Sequence, residues 1–278
     1  MLRNTNASAF NSSLLSEDDW QFVHDISIKF PNAHPSIVDR FKFFQAMPAE
    51  VRPVQALIGL REILRQGLIQ RGYDPKYAQS VFDHSKDVKG VISKAYKAGV
   101  LDAFLSTESN PKQTIQNAFR KAMSHDLPEV LTTDFTPLDM EIITREDKTR
   151  LEELAAKILY EAYPQRHQDF HEYEAKQGKD DILVKIADFI AWAGEAVNAY
   201  ATAEYFNEET PETLESIMRD TRAKMQKYPE AYESFGNAYL LGMELLAENL
   251  LPEISAQRRD NPRTSAATVL DLAVPSAA

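Results

Sequence analysis

Apolar residues along this chain recur at spacings of three and four rather than alternating, and that regularity predicts helices almost throughout. Ser16-Glu-Asp-Asp-Trp20 reads as an N-cap followed by acidic first-turn residues that suit the helix dipole. Pro31 and Pro35 interrupt. Val54, Leu57, Ile58, Leu60, Ile63, Leu64 and Leu68 then predict one helix from Pro48 to about Gln70, closed by the loop Arg71-Gly-Tyr-Asp-Pro75. From His84 onward Val88, Val91, Ile92, Ala95 and Tyr96 form one stripe, with Gly99 as its C-cap. Ser109-Asn-Pro-Lys opens a helix whose Ile115, Ala118, Phe119, Ala122 and Met123 face one way, and His125-Asp126 ends it one turn beyond that stripe. After a loop through Pro137, a helix over Arg145–Tyr160 uses Leu151, Leu154, Ala155, Ile158 and Leu159. The longest predicted helix runs from about Asp180 to Phe206, followed by Pro211–Lys227 and Tyr232–Leu251. The expected class is all-α. A partly helical N-terminal extension covers residues 1–47, a main domain 48–256, and a polar, loose C-terminal tail 257–278.

Composition narrows the chemistry. The 278 residues, 44% apolar and 26% charged, suffice for a sizeable core. A net charge of −11 argues against a nucleic-acid-binding surface. With no cysteine, disulfides and thiolate zinc sites are excluded, and any metal must sit on His, Asp and Glu. No apolar run approaches the roughly 18–20 residues of a membrane span, and the polar N-terminus lacks the apolar centre of a secretory signal. The expected location is the cytoplasm, with no membrane partner.

The candidate chemistry centres on His125-Asp126, where an imidazole nitrogen and a carboxylate oxygen stand side by side. The same dipeptide occurs at His24-Asp25, where nothing in the surrounding sequence matches it, and there it reads as structural. His84 begins a helix on the side later occupied by core residues, and is either a hydrogen-bonded core histidine or a ligand. Asp188, among Ile186, Ala187, Phe189, Ile190 and Trp192, needs a cation or a proton if buried, and is either salt-bridged or a ligand; Glu195 carries the same alternatives. Together His84, His125, Asp126 and Asp188 offer a sulfur-free set for one octahedral ion, suited to Mn²⁺, Co²⁺, Mg²⁺, Fe²⁺ or Zn²⁺ without choosing among them. His167 and His171 have the spacing of a two-histidine metal face, but their charged surroundings favour a solvated face. No phosphate-binding glycine loop of the ATPase or dinucleotide type is present.

Asp83-His84-Ser85, His125-Asp126 and Ala187-Asp188 resemble the H…HD…D signature of the HD-domain metallophosphohydrolases. Within that superfamily, the run from His125 through Glu129, Thr132-Thr133-Asp134 and Thr136-Pro137 is similar to the bacterial 5′-deoxynucleotidase branch, as are Ser80-Val-Phe-Asp-His-Ser85 and Val184-Lys-Ile-Ala-Asp188. Gln70-Arg-Gly-Tyr73 resembles an arginine-containing segment that precedes the first histidine. The resemblance covers about residues 60–250. It implies an HD-domain helical bundle, to which the residues read as an N-terminal helical extension are added without a counterpart in the resemblance.

The resemblance also implies one divalent ion on His84, His125, Asp126 and Asp188. Asp126 and Glu129 would act in catalysis, Arg71 would grip the phosphate, and Asp134 and Thr136 would bind the nucleoside. The implied activity is dephosphorylation of (deoxy)nucleoside 5′-monophosphates. Triphosphate or pyrophosphate hydrolysis is the nearest alternative, with Lys86, Lys89 and Lys185 as possible extra cations, and a non-catalytic nucleotide-binding protein is the alternative of another class. Relatives of this branch are helical dimers. The stretch Tyr239–Leu251 serves either such a homodimer interface or the core, and the core is the reading adopted. The sequence departs from the branch at Thr133, where a glycine is expected, and in the shortened turn at Thr136-Pro137, so this loop is the expected seat of substrate choice.

Overall fold

The computed structural model describes residues 14–249 except 34, 72, 74, 137, 138, 177 and 203–208. The start of the N-terminal extension, Gly72, Pro137 and the C-terminal tail therefore lie outside the described residues. Among the described residues the protein is all-α; its only β-type pairing is an isolated bridge between Leu64 and Ser80. The helices are α1 (Glu17–Lys29), α2 (Ile37–Ala46), α3 (Arg52–Gly59), α4 (Gln66–Ile69), α5 (Val81–Lys97), α6 (Asp102–Leu105) and α7 (Pro111–Ala122). They continue with α8 (Glu129–Thr132), α9 (Arg145–Leu159), α10 (Pro164–Ala175), α11 (Lys179–Thr202), α12 (Glu209–Met225), α13 (Pro229–Ala231) and α14 (Asn237–Asn249).

Local chemistry sets most boundaries. Ser16 and Thr144 each close a capping box, with Asp19 and Asp147 as the returning carboxylates. Ser80 caps α5 through the Asp83 N–H at 3.1 Å, which starts the helix so that His84 lies one turn inside it. Gly99 takes a φ of +71° just beyond α5, the left-handed position that favours glycine.

The single helix expected from Pro48 to Gln70 is not formed. A 3₁₀ turn (Ala49–Val51) precedes α3, the chain turns after Gly59, and α4 starts at Gln66. The reason is tertiary. The Arg65 N–H donates to the Gln79 carbonyl (2.9 Å) and the Val81 N–H to the Ile63 carbonyl (2.8 Å), so this stretch pairs with the approach to α5 instead of with itself. The last helix differs as well. Its first turn, Tyr232–Gly236, is a π turn that leads into α14.

Two apolar clusters share the chain. α11 is buried nearly all round and packs against α5, α7, α12 and α14, with Val88, Ile92, Ile115, Leu183, Ile190, Phe235 and Tyr239 in that cluster. The second cluster joins α1 and α2 to α8 and α9 through Val23, Phe41, Leu131, Leu151 and Ile158. In α14, Tyr239, Leu240 and Met243 are core, whereas Leu241 and Leu245 are exposed.

A buried ion cluster ties α7 to α11. The Lys121 ammonium, 3% exposed, lies 2.5 Å from Asp181 Oδ1 and 2.8 Å from Asp180 Oδ2. Burial disfavours its charge, but the two carboxylates outweigh that and raise its pKa. Because the His125 N–H donates to the Lys121 carbonyl (2.8 Å), the clamp also sets where α7 hands over to the following turn. Lys121→Met strands the Asp181 carboxylate and is expected to cost about 3–5 kcal/mol. Urea denaturation checks this, and the Lys121→Met/Asp181→Leu double variant should recover part of the loss.

Candidate metal centre and the cleft around it

α5, the turn after α7, and α11 bring His84, His125, Asp126 and Asp188 to the seam between the two clusters. Donor atoms of His84, His125 and Asp126 lie within 4.8 Å of one another. Asp188 joins through His84, whose Nε2 is 2.9 Å from Asp188 Oδ1. His125 Nε2 is 3.1 Å from Asp126 Oδ2, and the Ser85 hydroxyl donates to the same oxygen at 3.4 Å.

The tautomer of His125 follows from its partners. Its Nδ1 is 3.0 Å from the Ala122 carbonyl, which can only accept, so Nδ1 carries the proton and Nε2 presents a lone pair. That Nε2 is buried and has no hydrogen-bond partner. A buried lone pair without a donor, beside a second imidazole and two carboxylates, fits a divalent cation.

The surroundings set the protonation states. Burial, reinforced by Arg65, lowers the pKa of His84 and favours the neutral ring. Burial opposes ionisation of Asp188, but Lys185, 2.6 Å from its Oδ2, and His84 outweigh it and hold the carboxyl well below the usual range. On the far side of His84, Nδ1 faces Glu195 Oε2 at 3.8 Å. Glu195 is fully buried, and burial pushes its pKa up to about 8 despite Arg65. Glu129, in α8, is also buried. Desolvation, then repulsion by Asp126 and Asp134, pushes its pKa well above normal, and its Oε2 has no partner.

A cleft of about 500 Å³ opens over His125, Asp126, Glu129 and Asp188. Although the chain is acidic overall, its walls carry Arg71, Arg145, Lys148, Lys185, Lys224 and Lys227. Arg71 donates to the Gly67 carbonyl (2.9 Å) and sits 5.7 Å over the Trp192 ring. Asp134 and Thr136 line the same cleft. Asp134 accepts from the Arg65 guanidinium (3.1 Å) and the Gln66 N–H (2.7 Å), and so anchors α4. The Thr136 N–H and hydroxyl donate to Asp139 Oδ2 at 2.7 and 3.0 Å, with Gln70 also against the hydroxyl. Of the flanking lysines, Lys185 lies in the cleft, whereas Lys86 pairs with Asp83 on an exposed face. His24-Asp25 is exposed and remote, with Asp25 accepting from Gln21.

Sequence reasoning missed Arg65, Lys148, Glu152 and Trp192. Arg65 is a second cation among the carboxylates, beside Lys185; it pairs with Asp134 at 3.1 Å and lies 3.9 Å from Glu195. Expecting one helix through Pro48–Gln70 hid it, because an arginine inside an amphipathic helix reads as a solvated side chain. Trp192 sits under both Arg65 and Arg71, and a Cβ on Gly67 would stand 2.5 Å from its ring. That close approach explains a glycine in the first turn of α4.

The loop after α8 is strained at one residue. Thr133 has φ +80° and ψ 164°, a region that glycine occupies freely and a β-branched residue does not. The turn keeps the backbone a glycine would adopt while carrying a threonine, at a cost of about 1–3 kcal/mol. Thr133→Gly removes that strain and gives back less than about 1 kcal/mol in unfolded-chain entropy. It should therefore raise stability by about 1 kcal/mol, measurable as an increased urea midpoint at unchanged m-value.

No curated protein and no solved structure matches the chain. The HD-domain family matches over residues 59–228, more than half of the chain, a span that takes in His84, His125, Asp126 and Asp188. The chain belongs to the HD-domain family, whose members are in general metal-dependent phosphohydrolases.

Proposed function

We propose that this protein hydrolyses the phosphate ester of a nucleotide, with (deoxy)nucleoside 5′-monophosphates as the first substrate class. The observation that carries the reading is the unpartnered His125 Nε2 beside His84, Asp126 and Asp188, at the floor of a cleft walled by cations. A divalent ion held by these four side chains would supply Lewis acidity and lower the pKa of a bound water.

The chain's own groups do the rest. Lys185 keeps Asp188 ionised, and Ser85 orients Asp126. For His84 to present an Nε2 lone pair its proton must sit on Nδ1, and Glu195 Oε2 is the carboxyl oxygen that faces it there at 3.8 Å. Glu195 is thus a positioning residue. Arg71, on the cleft wall over Trp192, would hold phosphate oxygens, because a guanidinium can donate two bonds at once. Asp126 also orients the attacking water. The water oxygen forms the new P–O bond as the bond to the 5′ oxygen breaks; one water proton stays on the phosphate and the other restores the proton that Glu129 gives to the leaving oxygen. Glu129, buried on the cleft floor with Oε2 unpartnered, donates the proton to the leaving oxygen. Asp134 and Thr136 line the side where the sugar would lie, with the lone pairs of Asp134 not used by Arg65 and Gln66 open to a sugar hydroxyl.

The additional cations Arg145, Lys148, Lys224 and Lys227 favour a second reading, hydrolysis of a longer phosphate chain. A panel of nucleoside mono-, di- and triphosphates with Mn²⁺ or Co²⁺ separates the two by whether orthophosphate, pyrophosphate or triphosphate is released. Chelation and Asp126→Ala should each abolish turnover. Glu129→Gln should lower kcat by about 10²–10³-fold. Release from no nucleotide despite bound metal would leave a nucleotide-binding protein on this scaffold instead of an enzyme.

A further inference from the structure

We propose a second divalent-cation site, formed by Glu153, His167 and His171 where α9 meets α10, with Zn²⁺ as its ligand. The two histidines stand four apart on α10, so their rings lie on one face, with centroids 4.6 Å apart. His167 Nε2 is 2.9 Å and His171 Nε2 3.2 Å from one and the same carboxylate oxygen, Glu153 Oε1. All three donor atoms lie within 4.8 Å of one another. On a tetrahedral ion with ligand bonds of about 2.1 Å, neighbouring donors stand about 3.4 Å apart. The observed separations need only small rotamer shifts to meet that spacing. The solvated face expected from the charged sequence around His167 is thus partly covered, and what covers it is a carboxylate from another helix.

The backbones that carry these side chains are fixed independently of the cluster. Glu153 lies between the core residues Leu151 and Leu154 on α9. α10 is anchored by buried Phe170 and Tyr173, and by Asp169, which accepts from Arg120 at 2.7 and 2.9 Å. Binding therefore orders side chains only, which keeps its entropic cost low. The imidazole-rich donor set favours Zn²⁺ over Mg²⁺ or Ca²⁺. Partial exposure (29% at His167 and 53% at His171) leaves room for water as the remaining ligand, so the ion is exchangeable. Its place is also consequential. The same two helices present Lys148 and Glu152 from α9, and Phe170 and Glu174 from α10, to the nucleotide cleft.

The test uses the full, untagged chain, stripped with a chelator and titrated with Zn²⁺ by calorimetry and equilibrium dialysis. The wild type should bind one equivalent more than His167→Gln/His171→Gln, with the far-UV circular dichroism of the two unchanged. Glu153→Gln should weaken that equivalent at least tenfold. His125→Gln/Asp126→Asn should lose the other equivalent and keep this one, so failure here and failure of the hydrolase reading are separately visible. As a measurement that needs no variant, Zn²⁺ should protect His167 and His171 of the wild type from diethylpyrocarbonate, read by peptide mass spectrometry. Equal stoichiometry in wild type and His167→Gln/His171→Gln, or undiminished modification at saturating Zn²⁺, overturns the proposal.

Discussion

The organising constraint is the crowding of negative charge into a buried place. Asp126, Glu129, Asp134, Asp188 and Glu195 come together where water is scarce, and carboxylates there repel one another unless cations or protons intervene. The protein answers differently at each. Lys185 and His84 hold Asp188 ionised, Arg65 serves Asp134 and lies beside Glu195, and burial pushes Glu129 and Glu195 toward their neutral forms. What remains is a pair of imidazoles with carboxylates around them and a lone pair on His125 that no protein donor reaches. A divalent cation would meet that remainder, and HD-domain proteins in general bind one.

The seam between two apolar clusters makes such an arrangement attainable. α5, α7 and α11 belong to one cluster, and α8 belongs to the other. Side chains at the junction are shielded from above and below, yet the junction stays open at one edge as a cleft. The buried Lys121 clamp holds the end of α7 against the start of α11. The Ser80 cap sets where α5 begins. The candidate ligands are thus carried by helix ends and helix faces whose positions are set elsewhere, which is how precise geometry is kept at a polar site.

Much of this was legible in the sequence. The helical pattern marked α5, α7, α9, α11 and α12 to within a few residues, because each buries one face or, for α11, nearly all of itself. Ser16 announced a helix start and Gly99 a helix end, whereas the caps at Ser80 and Thr144 emerged only in the structure. His84, His125, Asp126 and Asp188 could be singled out because each falls at the edge of an apolar stripe or within it. Less was legible around Arg65. The stretch from Pro48 to Gln70 has helical spacing throughout, yet the hydrogen bonds that break it come from Gln79, Val81 and Asp134, distant in sequence. The same holds for Glu153. Nothing near it in the chain marks it as the partner of His167 and His171.

The chain by itself determined its helical class, its helix caps and the residue types available for ligation, since these rest on local propensity, spacing and the absence of cysteine. Tertiary structure decided which of the candidate groups share a place. It put Glu195 behind His84, Arg65 among the carboxylates, and a threonine at a backbone angle suited to glycine. It left His24-Asp25 alone in solvent while His125-Asp126, the same dipeptide, went into the buried seam. The physical reason is that desolvation and charge pairing depend on distance in space. Only the packing of α5, α8 and α11 brings those distances down to where an unpaired lone pair or an unbalanced charge costs enough to matter.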